Sequence, residues 1–373
     1  MKLSEKILKT EEKATLNLRA LYESYGYKKY KMQKFEEYDF YLENKSFLKT
    51  ENIITFTDLT GKLMALKPDV TLSIVKNTKH DQSQKVYYSE NVYRTSQGTR
   101  EFKEIMQVGL EYIGDINTYE TCEVIYLAAK SLELINKNYI LDISHMAFVT
   151  GLLESENVGY ENSQKLLKYI SEKNQHEILS LCKDENLSDD FAQKLATLSL
   201  LYGSFESVLP KMKNLISNEK MEVAYSEIKT IYSALKELGI EKNVHLDFSI
   251  INDLDYYNGI IFQGFIENIP CNILSGGRYD NLVCKFGRDD GAIGFAVYFD
   301  ILSMYDSSIS KYDVDNLIIY DENADAISLL KEVNALTQKG ETTKVQKEEI
   351  GKIKYKTLYK YTDGRLLEIE KND

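Results

Sequence analysis

The stretch Ile105-Met106-Gln107-Val108-Gly109-Leu110-Glu111-Tyr112-Ile113 decides what kind of fold this chain adopts. Its length and its aliphatic and aromatic content predict a β-strand, whose side chains alternate between two faces. Val108, Leu110 and Tyr112 then share one face, and Gln107, Gly109 and Glu111 share the other. A strand with one apolar face and one face of Gln, Gly and Glu suits either the floor of a polar pocket or, equally by spacing alone, a plain solvent-facing sheet surface.

Outward from this strand, the pattern predicts a sheet-based domain. Val86 to Arg94 reads as another strand, and Thr95 to Thr99 as a loop by composition. Upstream, Ile53 to Asp58 and Leu63 to Leu66 form two strands around the turn Leu59-Thr60-Gly61-Lys62. Pro68 ends the second, and Thr71 to Asn77 looks helical. The N-terminal residues 4–24 carry apolar side chains at helical spacing and stop at Gly26. Downstream, residues 118–136 read as a helix. Residues 150–240 contain no clear strand but several helical runs, at 163–183, 189–201, 205–217 and 221–238, which predicts a helical insertion. Strand character resumes over Val244–Ile251, Gly259–Ile266 and Cys271–Leu274, with Asn268-Ile269-Pro270 as a turn. Gly291 to Leu302 begins as a strand and continues as an apolar helix. A small polar linker at Ser307–Ser310 divides a core of residues 1–308 from a C-terminal piece, 311–373. That piece reads as strand 317–320, helix 324–336 and strand 358–361.

The bulk numbers narrow the function classes. With 373 residues, 43% hydrophobic and 28% charged, the chain is long enough for a large core. No window of about 18 uncharged apolar residues exists, so no membrane span is expected. The N-terminus is charged throughout and lacks the apolar run of a signal peptide, which predicts a cytoplasmic location. Cys122, Cys182, Cys271 and Cys284 are far apart, with no CxxC pair, so buried free thiols are expected and neither a disulfide framework nor a metal site. A net charge of −12 weighs against binding a nucleic-acid backbone.

Four stretches carry a family resemblance. They are Leu66-Lys67-Pro68-Asp69-Val70-Thr71; Val92-Tyr93-Arg94 with Arg100-Glu101-Phe102 and Gln107 to Glu111; Leu254-Asp255-Tyr256-Tyr257; and Ser275-Gly276-Gly277-Arg278-Tyr279-Asp280-Asn281-Leu282. In this order they resemble the catalytic core of histidyl-tRNA synthetases over residues 1 to about 305. The closest resemblance is to the non-catalytic paralogues of that family, the ATP phosphoribosyltransferase regulatory subunits of histidine biosynthesis. The resemblance implies an α+β fold: a class II aminoacyl-tRNA synthetase-like antiparallel sheet core flanked by helices, with a helical insertion and a small C-terminal α/β piece. It also implies a histidine pocket built from Asp69, Thr71, Arg100, Gln107, Glu111, Tyr256 and Tyr257, with Gly276 and Gly277 as its backbone. The chemistry agrees, since carboxylates suit an ammonium, Gln offers donor and acceptor, and glycines let backbone approach a ligand.

The departures from the family pattern matter more. Where the synthetases place two arginines that handle the charge of ATP and the activated amino acid, this chain has Asn252 and Ile301. Losing one stabilising donor typically costs on the order of a hundred- to a thousand-fold in rate. Arg94, Arg100, Arg278 and Arg288 remain as possible anion partners. The loop between Arg94 and Gln107 lacks the family's Glu-Arg-Pro run. The tail after Ser310 reads as shorter than the anticodon-binding domain that the resemblance leads one to expect, and it carries no basic stripe.

These features favour a non-catalytic regulatory subunit, with no catalytic residue, no cofactor and no metal. It would activate a short-form ATP phosphoribosyltransferase catalytic subunit and report L-histidine as feedback inhibitor. The alternative is a divergent histidyl-tRNA synthetase; a third class is an interaction domain built on the same core. The resemblance further implies no tRNA partner and a homodimer within a hetero-octamer. The homodimer would pair near the aromatic cluster of Tyr27, Tyr30, Phe35, Tyr38, Phe40 and Tyr41.

Overall fold

A computed structural model describes residues 8–48, 53–78, 83–95, 101–251, 256–304, 311–347 and 353–372. Two compact units divide the chain, Glu11–Tyr305 and Asp306–Asp373, the second together with Met1–Thr10.

In the larger unit, helix α1 (Thr10–Ser24) leads into strands β1 (Lys28–Lys29) and β2 (Phe35–Glu37), helix α2 (Tyr38–Glu43), strands β3 (Thr55–Thr57) and β4 (Leu63–Leu66) and helix α3 (Thr71–Asn77). Two long strands follow, β5 (Gln84–Thr95) and β6 (Phe102–Gly114), then helix α4 (Thr118–Ile135), strand β7 (Tyr139–His145) and helix α5 (Met146–Glu154). The insertion holds helices α6 (Tyr160–Ser171), α7 (Gln175–Asp184) and α8 (Asp189–Ser199), strand β8 (Tyr202–Ser204), and helices α9 (Phe205–Leu215) and α10 (Glu219–Glu237). Strands β9 (Val244–Asp247), β10 (Ile260–Ile266) and β11 (Leu274–Arg278), helix α11 (Asp280–Lys285), strand β12 (Gly291–Tyr298) and helix α12 (Phe299–Met304) complete it.

Nine of these strands form one sheet in the order β1-β5-β6-β12-β11-β10-β7-β9-β8. The six strands from β5 to β7 are antiparallel throughout, and the parallel pairs β1/β5 and β7/β9 lie towards its ends. Val108, Leu110 and Tyr112 do share a face. With Phe295, Val297, Leu141 and Ile143 they join the same buried cluster as Leu18 and Tyr22 of α1 and Val124, Leu127 and Leu132 of α4. Helix α4 starts where the sequence dictates: Asn117 accepts from the backbone N–H of Tyr119, and Glu120 accepts from the N–H of Asn117. A second three-stranded sheet, β2-β4-β3, stands apart from the main one.

Several sequence expectations are corrected. The helical run 163–183 is two helices, because Lys173 adopts φ +55° and Asn174 caps the second through the N–H of Glu177. A short strand, β8, interrupts the insertion; Gly203 sits at φ +136°, and β8 pairs with β9. Strand β7 and helix α5 were not anticipated from the pattern. The strand expected at 271–274 instead runs Leu274–Arg278 and takes both glycines into the sheet. Cys182 is a buried thiol, but Cys271 and Cys284 are exposed. Among the described residues, no helix is long and apolar enough to cross a membrane.

In the smaller unit, strands β13 (Val314–Tyr320), β14 (Thr343–Lys347), β15 (Tyr355–Thr362) and β16 (Arg365–Lys371) form a sheet in the order β14-β13-β15-β16. Helix α13 (Ala326–Gln338) contributes Leu329 and Leu336 to a core with Ile318 and Tyr361. Strands β14 and β16 were also missed: β14 has no buried residue, and the side chains of β16 are mostly exposed.

The contact of α4 with the sheet is tight at Gly264, where a Cβ would stand 2.7 Å from Cδ1 of Leu132. Leu132→Ala should cost about 2–5 kcal/mol by opening a cavity, and Gly264→Ala about 1–3 kcal/mol by overpacking. In the double variant the new methyl occupies vacated space, so the costs should fall short of their sum by more than about 0.5 kcal/mol. Strict additivity in chemical denaturation would refute this packing.

Candidate ligand-binding site

The face of the sheet opposite α1 and α4 carries the cavity. Glu111 projects from β6 opposite Gly294 of β12, and Gly294 in turn lies opposite Gly277 of β11. A Cβ at Gly294 would overlap both Oε2 of Glu111 and the carbonyl oxygen of Leu110, so only glycine leaves room for the carboxyl. Glu111 is 2% exposed and accepts two hydrogen bonds, from Oγ1 of Thr71 at 2.8 Å and from the hydroxyl of Tyr279 at 2.6 Å. Burial pushes its pKa up to about 8. The two hydrogen bonds oppose that shift, and the nearby charge of Asp69 adds to it.

Asp69 and Thr71 enter from the start of α3. Oδ1 of Asp69 accepts from the backbone N–H of Leu72, which fixes the carboxylate at the helix entrance. Its other oxygen lies 3.9 Å from the Arg94 guanidinium, whose Nε donates to the carbonyl of Pro68. Lys67, next in line, does not line the cavity. It is 1% exposed, donates to Oγ of Ser73 at 2.7 Å, and burial lowers its pKa to about 8. Tyr256 and Tyr257 form the apolar wall, their ring centroids 4.5 Å apart and edge-to-face, with Tyr279 at 5.8 Å from Tyr256. Burial holds the phenols of Tyr88, Tyr256, Tyr257 and Tyr279 well above their ordinary pKa, so they remain hydroxyl groups able to donate.

The structure thus gathers Asp69, Thr71, Gln107, Glu111, Tyr256, Tyr257 and Gly276 around one cavity. Gly277 is not among its walls: it lies beneath Tyr257, where a Cβ would meet the ring at 2.7 Å. Arg100 and Asn252 lie outside the described residues. Tyr88, Ser275, Tyr279 and Tyr298 also line the cavity without having been named as site residues; Ser275 and Tyr279 lie in the signature stretch 275–282, whereas Tyr88 and Tyr298 are brought here by the pairing of distant strands. An annex adjoins the cavity, lined by Arg94, Ile105, Gln263, Asn272, Ser275, Tyr298, Asp300 and Ile301. Of the other arginines retained by the sequence, Arg278 is engaged with Asp280 at 2.8 Å and Arg288 with Asp290 at 2.6 Å, so local carboxylates neutralise both. Among the described residues lining the cavity and annex, Arg94 is the one cation. No group of His, Cys, Asp and Glu able to hold a metal occurs among the described residues.

Residues 2–302 match the family described as histidyl-tRNA synthetase. The ATP phosphoribosyltransferase regulatory subunit of Oceanobacillus iheyensis is 31% identical over 284 residues, spanning 75% of this chain and 70% of that protein. The chain belongs to the histidyl-tRNA synthetase family, in its branch of ATP phosphoribosyltransferase regulatory subunits. Two solved structures share the fold. An ATP phosphoribosyltransferase regulatory subunit/histidyl-tRNA synthetase from Bacillus halodurans has a TM-score of 0.75 and 24% identity, covering 93% of this chain and 91% of that one. A chain of the ATP phosphoribosyl transferase (HisG:HisZ) complex from Thermotoga maritima has a TM-score of 0.62 and 18% identity, covering 77% of this chain and 97% of that one. Ile301 and Asp300 line the annex beside Arg94.

The raised pKa of Glu111 has a signed consequence for stability. The folded protein holds this proton more tightly than the unfolded chain, so the contribution is fully present below about pH 4.5 and is lost as pH rises through about 8. The stability of the wild type relative to Glu111→Gln should therefore fall across that window by more than about 1 kcal/mol. Parallel pH profiles for the two proteins in urea titrations would refute the buried, cation-free carboxyl.

Proposed function

We propose that this chain is the non-catalytic subunit that activates a short-form ATP phosphoribosyltransferase catalytic chain and mediates feedback inhibition by histidine, in the cytoplasm. The observation that carries the reading is the pairing of Asp69 and Glu111 in one cavity that has a single guanidinium and a flanking annex without another cation among its described residues. Two carboxyl groups suit an α-ammonium, Arg94 suits an α-carboxylate, and Gln107 with the phenols suits an imidazole. A triphosphate would meet Asp300 and Ile301 in the annex, which opposes adenylate formation. An ammonium reaching Glu111 favours its ionised form, so binding should release a proton below about pH 8.

Titration calorimetry of the purified complex with L-histidine tests the sensing role. Saturable heat is expected, with affinity reduced at least about tenfold in Glu111→Gln, the loss of one charge-assisted hydrogen bond. No heat at millimolar histidine would sink it. The activating role predicts phosphoribosyl-ATP formation by the catalytic chain only when this protein is co-expressed with it. Equal rates without it would count decisively against activation.

The same reading includes a homodimer within a hetero-octamer. Of the aromatic cluster, Tyr27 and Tyr41 are buried in the core. Phe35 is 49% exposed and stacks edge-to-face on Phe56, itself 38% exposed. Such exposed apolar clusters favour a partner surface. The substitution pair Phe35→Asp and Phe56→Asp should convert a dimer into a monomer in sedimentation velocity while leaving the circular dichroism unchanged. A dimer that persists would place the interface elsewhere.

A further inference from the structure

The cavity and its annex share three lining residues: Arg94, Ser275 and Tyr298. Tyr298 is the last residue of β12 and lies opposite Gln107 in register. Ser275 is on the neighbouring strand β11, and its Oγ lies 2.6 Å from the hydroxyl of Tyr298. Two side chains that face both spaces and are bonded to each other form a partition. The bond fixes the phenol ring in place, because the hydroxyl gives up a partner if the ring swings away.

We infer that the Tyr298–Ser275 pair is the specificity-determining wall of the site, limiting its occupant to a single free amino acid. The inference rests on the histidine reading above for its orientation. The two carboxylates, Asp69 and Glu111, line the main cavity and not the annex, whereas Arg94 lines both. An α-ammonium therefore points to the inner carboxylates and an α-carboxylate to Arg94, at the boundary with the annex. Any group carried beyond that carboxylate meets the ring of Tyr298. Beyond the wall stand the amides of Gln263 and Asn272, the acidic Asp300 and the apolar Ile105 and Ile301. The wall thus excludes carboxyl-extended histidine compounds, peptides included, by the bulk of the ring, and Asp300 adds repulsion against a carboxylate carried into the annex.

The test titrates L-histidine and L-histidylglycine into the full chain as wild type, Tyr298→Phe and Tyr298→Ala. The dipeptide keeps the ammonium and imidazole and moves the carboxylate one residue further on. Wild type and Tyr298→Phe, which retains the ring, are expected to bind histidine and to reject the dipeptide by at least about tenfold, the factor that corresponds to about 1.4 kcal/mol. Tyr298→Ala is expected to bind both, with L-histidine affinity confirming that the variant folds. Equal binding of the two ligands by wild type, or rejection of the dipeptide by Tyr298→Ala as strong as by wild type, overturns the wall. A crystal structure of Tyr298→Ala reads the wall without any ligand: one continuous space supports it and two separate ones overturn it. If no form binds histidine, the function reading fails while that crystallographic comparison still decides the partition.

Discussion

A carboxyl group buried inside a sheet is the constraint on which the site depends. Glu111 stands on the middle of β6 because its neighbour across the strand, Gly294, has no side chain to fill the space. Its oxygens are satisfied by hydroxyl groups from two other elements, Thr71 at the start of α3 and Tyr279 just before α11. One acidic side chain thereby ties the sheet floor to both walls. No cation of the cavity neutralises it at hydrogen-bond distance, so burial dominates and the group holds a proton near neutrality.

The arginines near the site are engaged by local carboxylates. Retaining a guanidinium in the sequence does not make it available to a ligand. Arg278 spends its Nε on Asp280, whose carboxylate also takes hydrogen bonds from Asn258 Nδ2 and the N–H of Ala292, so that pair knits together the signature segment itself. Arg288 is 4% exposed and bound to Asp290. Such charge-assisted bonds are strong enough to keep both arginines structural. Ile301, which lines the annex, adds no positive charge there.

How much of this could be read from the chain differs by element. The period of two in residues 105–113 puts Gln107 and Glu111 on one face together; that this face lines a pocket is implied by the family resemblance, as it is for Asp69, Thr71 and Tyr256, which line the same cavity. Tyr88 and Tyr298 could not be found that way, because each is an ordinary strand residue until β5 and β12 take their places beside β6. Gly276 and Gly277 look equivalent in sequence, yet being adjacent on a strand they face opposite sides. Only Gly276 reaches the cavity wall, through its backbone. The break at Lys173 and Asn174 lacks the Gly or Pro that normally marks one, since the positive φ falls on a lysine. Strand β8 is three residues long and exists because β9 offers it a partner.

The geometry also ties the cavity to the small sheet. Asp69 and Thr71 bracket the first turn of α3 and follow β4 by a few residues. Strand β4 is the centre of the three-stranded sheet, paired with β2 on one side and β3 on the other, and those two edge strands present Phe35 and Phe56 to solvent. Lys67 anchors the connection, its backbone N–H bonded to Lys34 and its carbonyl accepting from Tyr93 of β5. Asp69 lies in the connection between β4 and α3 and Glu111 on the main sheet, so the cavity is lined both by the main sheet and by the segment that leads out of the small one.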